Sequence, residues 1–385
     1  MIYYLIPILI GIIFSFYSVK LGPLNSKSSR VRNFYLLLTA FIFCGGYMTG
    51  SDWVNYEIMY LNISISDISS LQREKGFFVL MLIFKQLGFG FFPFLILVKF
   101  IVFYIVANFI LKHFESFYLP FSIFLSTYAL FLYVDNPLRF MIAFGIIVLS
   151  FKYLLERKFI PYALIIIFAT TFHISSVIML VIYFSLYIKV SRRFLLIIYF
   201  FIFFTLSPHI VGNLIQSFFP QLPPLISTYF HRMQIMEYNA FPIGKVINAI
   251  FFIVIVFNKS LIERGINKGN VFFILSINFF FFNLLGYIIP TFFRFSIFLS
   301  IFFDISLAFL TISITRKAFL RVFLCSYLLF TTVRSIYSTY VYIPYSNYFI
   351  SLFQNEKEYY ERSRYNKIKY YERTGSWPEY FGEEV

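Results

Sequence analysis

The chain has 385 residues, enough for roughly two or three soluble domains, yet 60% are hydrophobic and only 13% charged, with 58 Phe and 31 Tyr. A water-soluble surface needs roughly a quarter of its residues charged, so composition excludes a soluble enzyme and puts the chain in a bilayer. The formal charge of +15 would suit nucleic acid only if it lined one soluble face; it does not, so membrane lipid is expected as a partner and nucleic acid is not.

In chain order, Ile2–Val19 is apolar with neither a basic leader nor a small-residue cleavage site, and reads as a retained helix. A spanning helix needs ~20 apolar residues, fewer where protein covers it. On that measure the candidate spans are Ile2–Val19, Phe34–Gly50, Phe91–Leu111, Phe117–Val134, Leu138–Leu155, Phe159–Phe172, Ile174–Ile188, Phe194–Ser207, Ile243–Phe257, Val271–Ile289, Phe292–Ile312 and Ala318–Ser335. The expected fold is therefore an all-α polytopic membrane protein of about 12 transmembrane helices. Cys44 and Cys325 lie in apolar runs and read as inert core thiols.

Orientation follows from Lys and Arg in short loops. Basic loops recur at Lys20/Lys27/Arg30/Arg32, Lys152/Arg157/Lys158, Lys189/Arg192/Arg193, Lys259/Arg264/Lys268 and Arg316/Lys317/Arg321; with Lys112 they hold over half of the 32 basic residues. All are placed in the cytoplasm. Between Arg32 and Lys112 this leaves an odd number of apolar runs. Either Phe77–Leu87 is a re-entrant, half-membrane segment turned back at Gly88-Phe-Gly90, or it is a full span and Lys112 falls outside. The first repair is the simpler. Residues 1–336 form the transmembrane domain. Residues 337–385, rich in Tyr and nearly neutral, read as an interfacial or partly disordered tail.

The remaining ionisable residues gather on the outer side. Charge at membrane depth costs at least ~2.5 kcal/mol and survives where it meets a cavity or a partner. Arg139 follows Asn136-Pro137 and opens an apolar helix; its fork of donors matches a phosphate, or a local pair with Asp135. Arg294, flanked by Phe, opens another span. His173 sits at the apex between two short spans, placed to relay a proton or bind a sugar hydroxyl. Asp52 and Glu74 are acid/base candidates, and Trp53 and Tyr56 offer aromatic faces of the kind carbohydrates use. The loop 208–242, with His209, His231 and Arg232, reads as a substrate lid or a plain connector. No Walker A, Gly-rich dinucleotide loop or zinc signature is present, so no metal and no cofactor is expected.

Taken together, Gly50-Ser-Asp52-x-x-x-Tyr56, Glu74-Lys-Gly-Phe77, Arg139-Phe-Met-Ile-Ala143, Phe172-His173-x-Ser175, Arg294 in a late helix and Ile343-Pro-Tyr345 resemble the EpsG-type branch of the Wzy polysaccharide polymerases, over roughly residues 35–350. The resemblance implies a multi-pass enzyme of the bacterial inner membrane that assembles O-antigen, capsule or exopolysaccharide. Such an enzyme transfers the growing glycan from undecaprenyl diphosphate to a new lipid-linked repeat unit on the periplasmic face, with a chain-length-regulating co-polymerase as a partner. It implies Arg139, Arg294 and Arg232 as diphosphate ligands, and Glu74, Asp52 or His173 as the base that accepts the sugar proton. The alternatives are a flippase for the same lipid-linked units and an O-antigen ligase. Repeated halves would favour a flippase, and none is seen. A ligase would suit the outer loop, although that loop is short for one.

Overall fold

A computed structural model of the chain describes residues 2–21, 26–50, 52–65, 74–114, 116–135, 137–218, 239–313, 318–338, 342, 345–353 and 368. Among them the structure is helical throughout, with no strand beyond one isolated bridge between Gly46 and Asn347. This is the arrangement a bilayer demands, since a helix satisfies its backbone polar groups within its own segment.

The helices are α1 Ile2–Leu21, α2 Ser26–Cys44, α3 Trp53–Asn62, α4 Lys75–Gln86, α5 Phe91–His113, α6 Tyr118–Phe124, α7 Leu138–Leu155, α8 Phe159–Thr170, α9 Ile178–Ser185, α10 Arg192–Thr205, α11 Pro208–Phe218, α12 Ile243–Phe257, α13 Lys259–Gly265, α14 Gly269–Gly286, α15 Phe292–Ser313, α16 Ala318–Ser338 and α17 Tyr348–Ser351. A π-helical stretch, Leu125–Asp135, continues α6, and a 3-10 turn, Ile174–Val177, leads into α9.

The described helices support a polytopic helical membrane protein but not the expected count of about 12 spans. Among the described residues, five helical segments are long and apolar enough to cross a membrane: Phe91–His113, Tyr118–Asp135, Leu138–Leu155, Gly269–Gly286 and Phe292–Ser313. The number rises to seven if two bent pairs each count as one span, α10 with α11 (89°) and α12 with α13 (65°). The shortfall has a physical cause. Apolar runs that read as spans are cut short: Phe159–Thr170 and Ile174–Ser185 are each about 18 Å long at 1.5 Å per residue, against ~30 Å of hydrocarbon. α4 has 12 residues and is equally short; the chain leaves it through Gly88, whose φ of +82° favours glycine. The start of the expected 208–242 loop is itself a helix, α11.

The chain divides into two compact units. The first comprises Met1–Phe151, Leu164–Ile174 and Thr315–Val385; the second comprises Lys152–Ala163 and Ser175–Ile314. In the first, α1 packs on α2, α6 and α16, while α3, α4 and α5 pack on one another. The π stretch is tied to α16 by Ser126, whose Oγ donates to the Leu328 carbonyl at 2.7 Å and accepts from Thr332 at 3.0 Å. Residues after α16 return to this unit: Tyr348 N–H donates to Gly45 O at 2.8 Å, and Asn347 Nδ2 donates to Phe41 O at 2.8 Å. In the second unit α14 is the central helix, packed on α9, α10, α12, α13 and α15. The many Phe fill this unit in offset and edge-on pairs, for example Phe279 on Phe303 at 4.7 Å and Phe272 on Phe302 at 5.1 Å.

Candidate active site

Four segments of the first unit meet around one carboxylate. Glu74 stands immediately before α4 with left-handed backbone angles, φ 57° and ψ 34°. A side chain other than Gly in that region costs of order 1–2 kcal/mol. That strain, held by the surroundings, aims the carboxylate across the unit instead of along its own helix. The next residue but one locks the approach. Gly76 N–H donates to the Thr171 carbonyl at 3.0 Å, and a Cβ at residue 76 would collide with the Thr171 side chain. Glycine is therefore required where the start of α4 docks on the turn after α8.

Both carboxylate oxygens are engaged. Arg139, in the first turn of α7, donates through Nη1 to Glu74 Oε2 at 2.6 Å. His173 Nδ1 lies 3.0 Å from Glu74 Oε1, and the Ile174 N–H donates to the same oxygen at 3.2 Å. The Glu74 side chain is 10% exposed, whereas the Arg139 side chain is 37% exposed. Burial by itself would raise the Glu74 pKa; the His173 hydrogen bond, the Ile174 N–H and the Arg139 charge outweigh it and hold the carboxyl below its ordinary value. Glu74 is thus ionised at neutral pH and sits between the Arg139 guanidinium and the His173 imidazole.

That arrangement assigns the imidazole's tautomer. A carboxylate accepts only, so His173 Nδ1 carries the proton shared with Glu74, and in the neutral ring Nε2 keeps its lone pair. Nε2 is buried and has no hydrogen-bond partner among the described residues. The ring is steadied by an edge-on contact with Phe140 at 5.6 Å. An imidazole whose Nδ1 is held by an ionised carboxylate and whose Nε2 is left unpartnered has one of the elements a general base requires.

Tyr56, in the first turn of α3, closes the other side. Its hydroxyl accepts from Arg139 Nε at 3.4 Å, a long contact, and the guanidinium lies 5.9 Å from its ring centroid. Burial raises the Tyr56 pKa, with Arg139 acting in the opposite sense, so the hydroxyl stays protonated. Tyr56 packs edge-on against Phe77 at 5.4 Å. The guanidinium is left partly open, with donors to spare for an anion.

Asp52 is the residue that precedes α3, one turn from Tyr56, and its side chain does not cap that helix. Trp53 is buried and packs on Phe92 at 5.6 Å, so its ring face is occupied. Arg294 belongs to the second unit and is exposed in the first turn of α15. Arg232 lies outside the described residues, as does His231. Sequence reasoning missed three contributors: the Ile174 N–H, the left-handed turn at Glu74 and the Gly76 contact. Only the Glu-Lys-Gly order hinted at any of them.

No curated protein and no solved structure matches the chain significantly. The family model described as the EpsG family matches residues 29–355, a stretch that holds Tyr56, Glu74, Arg139 and His173. The chain therefore belongs to the EpsG family, a membership that points to a polysaccharide polymerase-like role of the glycosyltransferase kind.

Proposed function

We propose that the protein is a repeat-unit polymerase for O-antigen, capsule or exopolysaccharide, working in the bacterial inner membrane with its active site on the periplasmic side. The donor is a glycan on undecaprenyl diphosphate and the acceptor is the terminal sugar of a second lipid-linked unit. One observation carries the reading: Glu74 holds Arg139 and His173 at 2.6 and 3.0 Å from its two oxygens, so a cation and a base are fixed on one support.

The chemistry asks for both. As the acceptor hydroxyl oxygen bonds to the anomeric carbon, that carbon's bond to the diphosphate oxygen breaks and the electron pair leaves on the diphosphate. Arg139 offsets that developing charge, a role worth about 2.7–4 kcal/mol where a fixed donor meets a forming oxyanion. The hydroxyl proton passes to His173 Nε2. Glu74 stabilises the imidazolium that results and keeps its Nδ1–H turned inward. Of the residues implied as base, His173 is favoured over Glu74, whose two oxygens already accept from Arg139, His173 and the Ile174 N–H and which is held below its ordinary pKa. Tyr56 positions the guanidinium. A chain-length-regulating co-polymerase is the expected protein partner.

The test is the polysaccharide of a strain carrying single substitutions. Arg139→Ala and His173→Ala should each leave single repeat units in place of a polymer ladder, with the protein still in the membrane. A wild-type ladder in both would overturn the assignment. A deletion strain separates the alternatives: one capped repeat fits a polymerase, none on the acceptor fits a ligase, and loss of all surface material fits a flippase. Arg294 and Arg232 can be tested in the same assay.

A further inference from the structure

The second unit contains a cavity of about 530 Å³ that the proposed transfer does not use. Its origin lies in helix length. α9 is an 8-residue helix ending at Ser185, where Asn278 Nδ2 donates to Ser185 Oγ at 2.8 Å. Asn278 stands midway along the 18-residue α14. α9 thus covers only one half of α14, and the half that begins at Gly269 faces a gap walled by Phe273, Ile274 and Ile277 on one side and the start of α10 on the other.

The gap is apolar within and cationic around its edge. Arg157, Lys189 and Lys259 line it, and no Asp or Glu does. Arg157 is exposed, holds a left-handed φ of 55° and lies 5.4 Å from the Tyr187 ring centroid. Neither Arg157 nor Lys189 forms an ion pair among the described residues, and Lys259 is only 3.7 Å from Glu263 while resting over the Phe273 ring at 5.1 Å. Three basic side chains around an apolar slot are matched by an anionic head joined to a hydrocarbon chain. A free anion would use the rim but leave the apolar walls wet.

We infer that this cavity binds an anionic phospholipid, its phosphate held by Arg157, Lys189 and Lys259 and the start of one acyl chain laid along α14 at Ile274 and Ile277. The lipid completes the wall that the short α9 leaves open. The charge pattern of the loops puts these three residues at the cytoplasmic surface, where anionic lipid is concentrated.

Native mass spectrometry of the full-length protein in detergent tests this, with phosphatidylglycerol, zwitterionic phosphatidylethanolamine and inorganic phosphate as probes. Phosphatidylglycerol should bind about tenfold or more tightly than phosphatidylethanolamine. R157A/K189A/K259A should remove that preference, whereas R264A/K268A, outside the cavity, should keep it. Ile274→Trp, which fills the slot and leaves the charges alone, should also weaken binding. Equal binding of the two lipids, equal loss in both charge variants, full binding by Ile274→Trp, or displacement of the lipid by inorganic phosphate alone would each overturn the proposal.

Discussion

Arg139 and Arg294 look alike along the chain. Each stands a few residues after a proline, in the first turn of a long apolar helix, with Phe beside it. Their surroundings differ. Arg139 is ion-paired to Glu74 at 2.6 Å and touches Tyr56. Arg294 is exposed and has no ion pair among the described residues. A charge at a helix start is therefore not enough to define a site. What distinguishes Arg139 is a partner that reaches it from 65 residues away, on a strained turn. A bound carboxylate fixes the guanidinium in one direction, and a preorganised donor costs no reorganisation when charge develops.

Substitution separates the two arginines most clearly. Arg139→Ala should reduce polymer formation by about a thousandfold, the scale set by loss of a fixed oxyanion donor. Arg294→Ala should cost about tenfold or less, as expected of an exposed cation. Rates of polymer elongation in membranes carrying each variant check both, and equal losses would erase the distinction. Next in size is Glu74→Gln, which keeps the shape but removes the charge. It should lower the rate about a hundredfold, because an amide can hold neither the imidazolium nor the guanidinium as well. Circular dichroism should show the helices intact.

How much of this was legible beforehand divides along physical lines. Glu74, Arg139, His173 and Tyr56 were each visible as polar residues flanking apolar runs, because burying such groups is costly enough to mark them. Their meeting was not visible. It depends on a left-handed turn at Glu74, on Gly76 fitting against Thr171, and on a backbone N–H at Ile174, none of which has a hydropathy signature. The helical class was readable from composition. The number of spans was not: apolar runs such as Phe159–Phe172 and Ile174–Ile188 carry the same signal whether they cross the bilayer or stop short. The π-helical stretch at Leu125–Asp135 is likewise hidden, since its apolar run differs in no way from an α-helical one.

Acid acts on the same ion pair. The folded-state pKa of Glu74 is lowered, so its ion pair is complete at neutral pH, and its contribution to stability is present above the unfolded carboxyl value and lost as pH falls through the lowered folded one. Acid unfolding followed by tryptophan fluorescence should therefore separate wild type from Glu74→Gln at neutral pH, and the two should converge below the ordinary carboxylate range. The smallest effect is expected from Tyr56→Phe. Its hydroxyl is 3.4 Å from Arg139 Nε, too long for a strong hydrogen bond. The elongation rate should fall by no more than about threefold, the aromatic packing on Phe77 being retained.

The central claim is that Glu74 and His173 act as one unit. A double-mutant cycle on elongation by the purified full-length protein, using lipid-linked repeat units, measures this directly. If Glu74 works through His173, Glu74→Gln combined with His173→Ala should cost clearly less than the product of the two single losses, what is left being Glu74's hold on Arg139. If the two losses multiply, each residue acts independently, and the account of Glu74 as the support for the base is wrong.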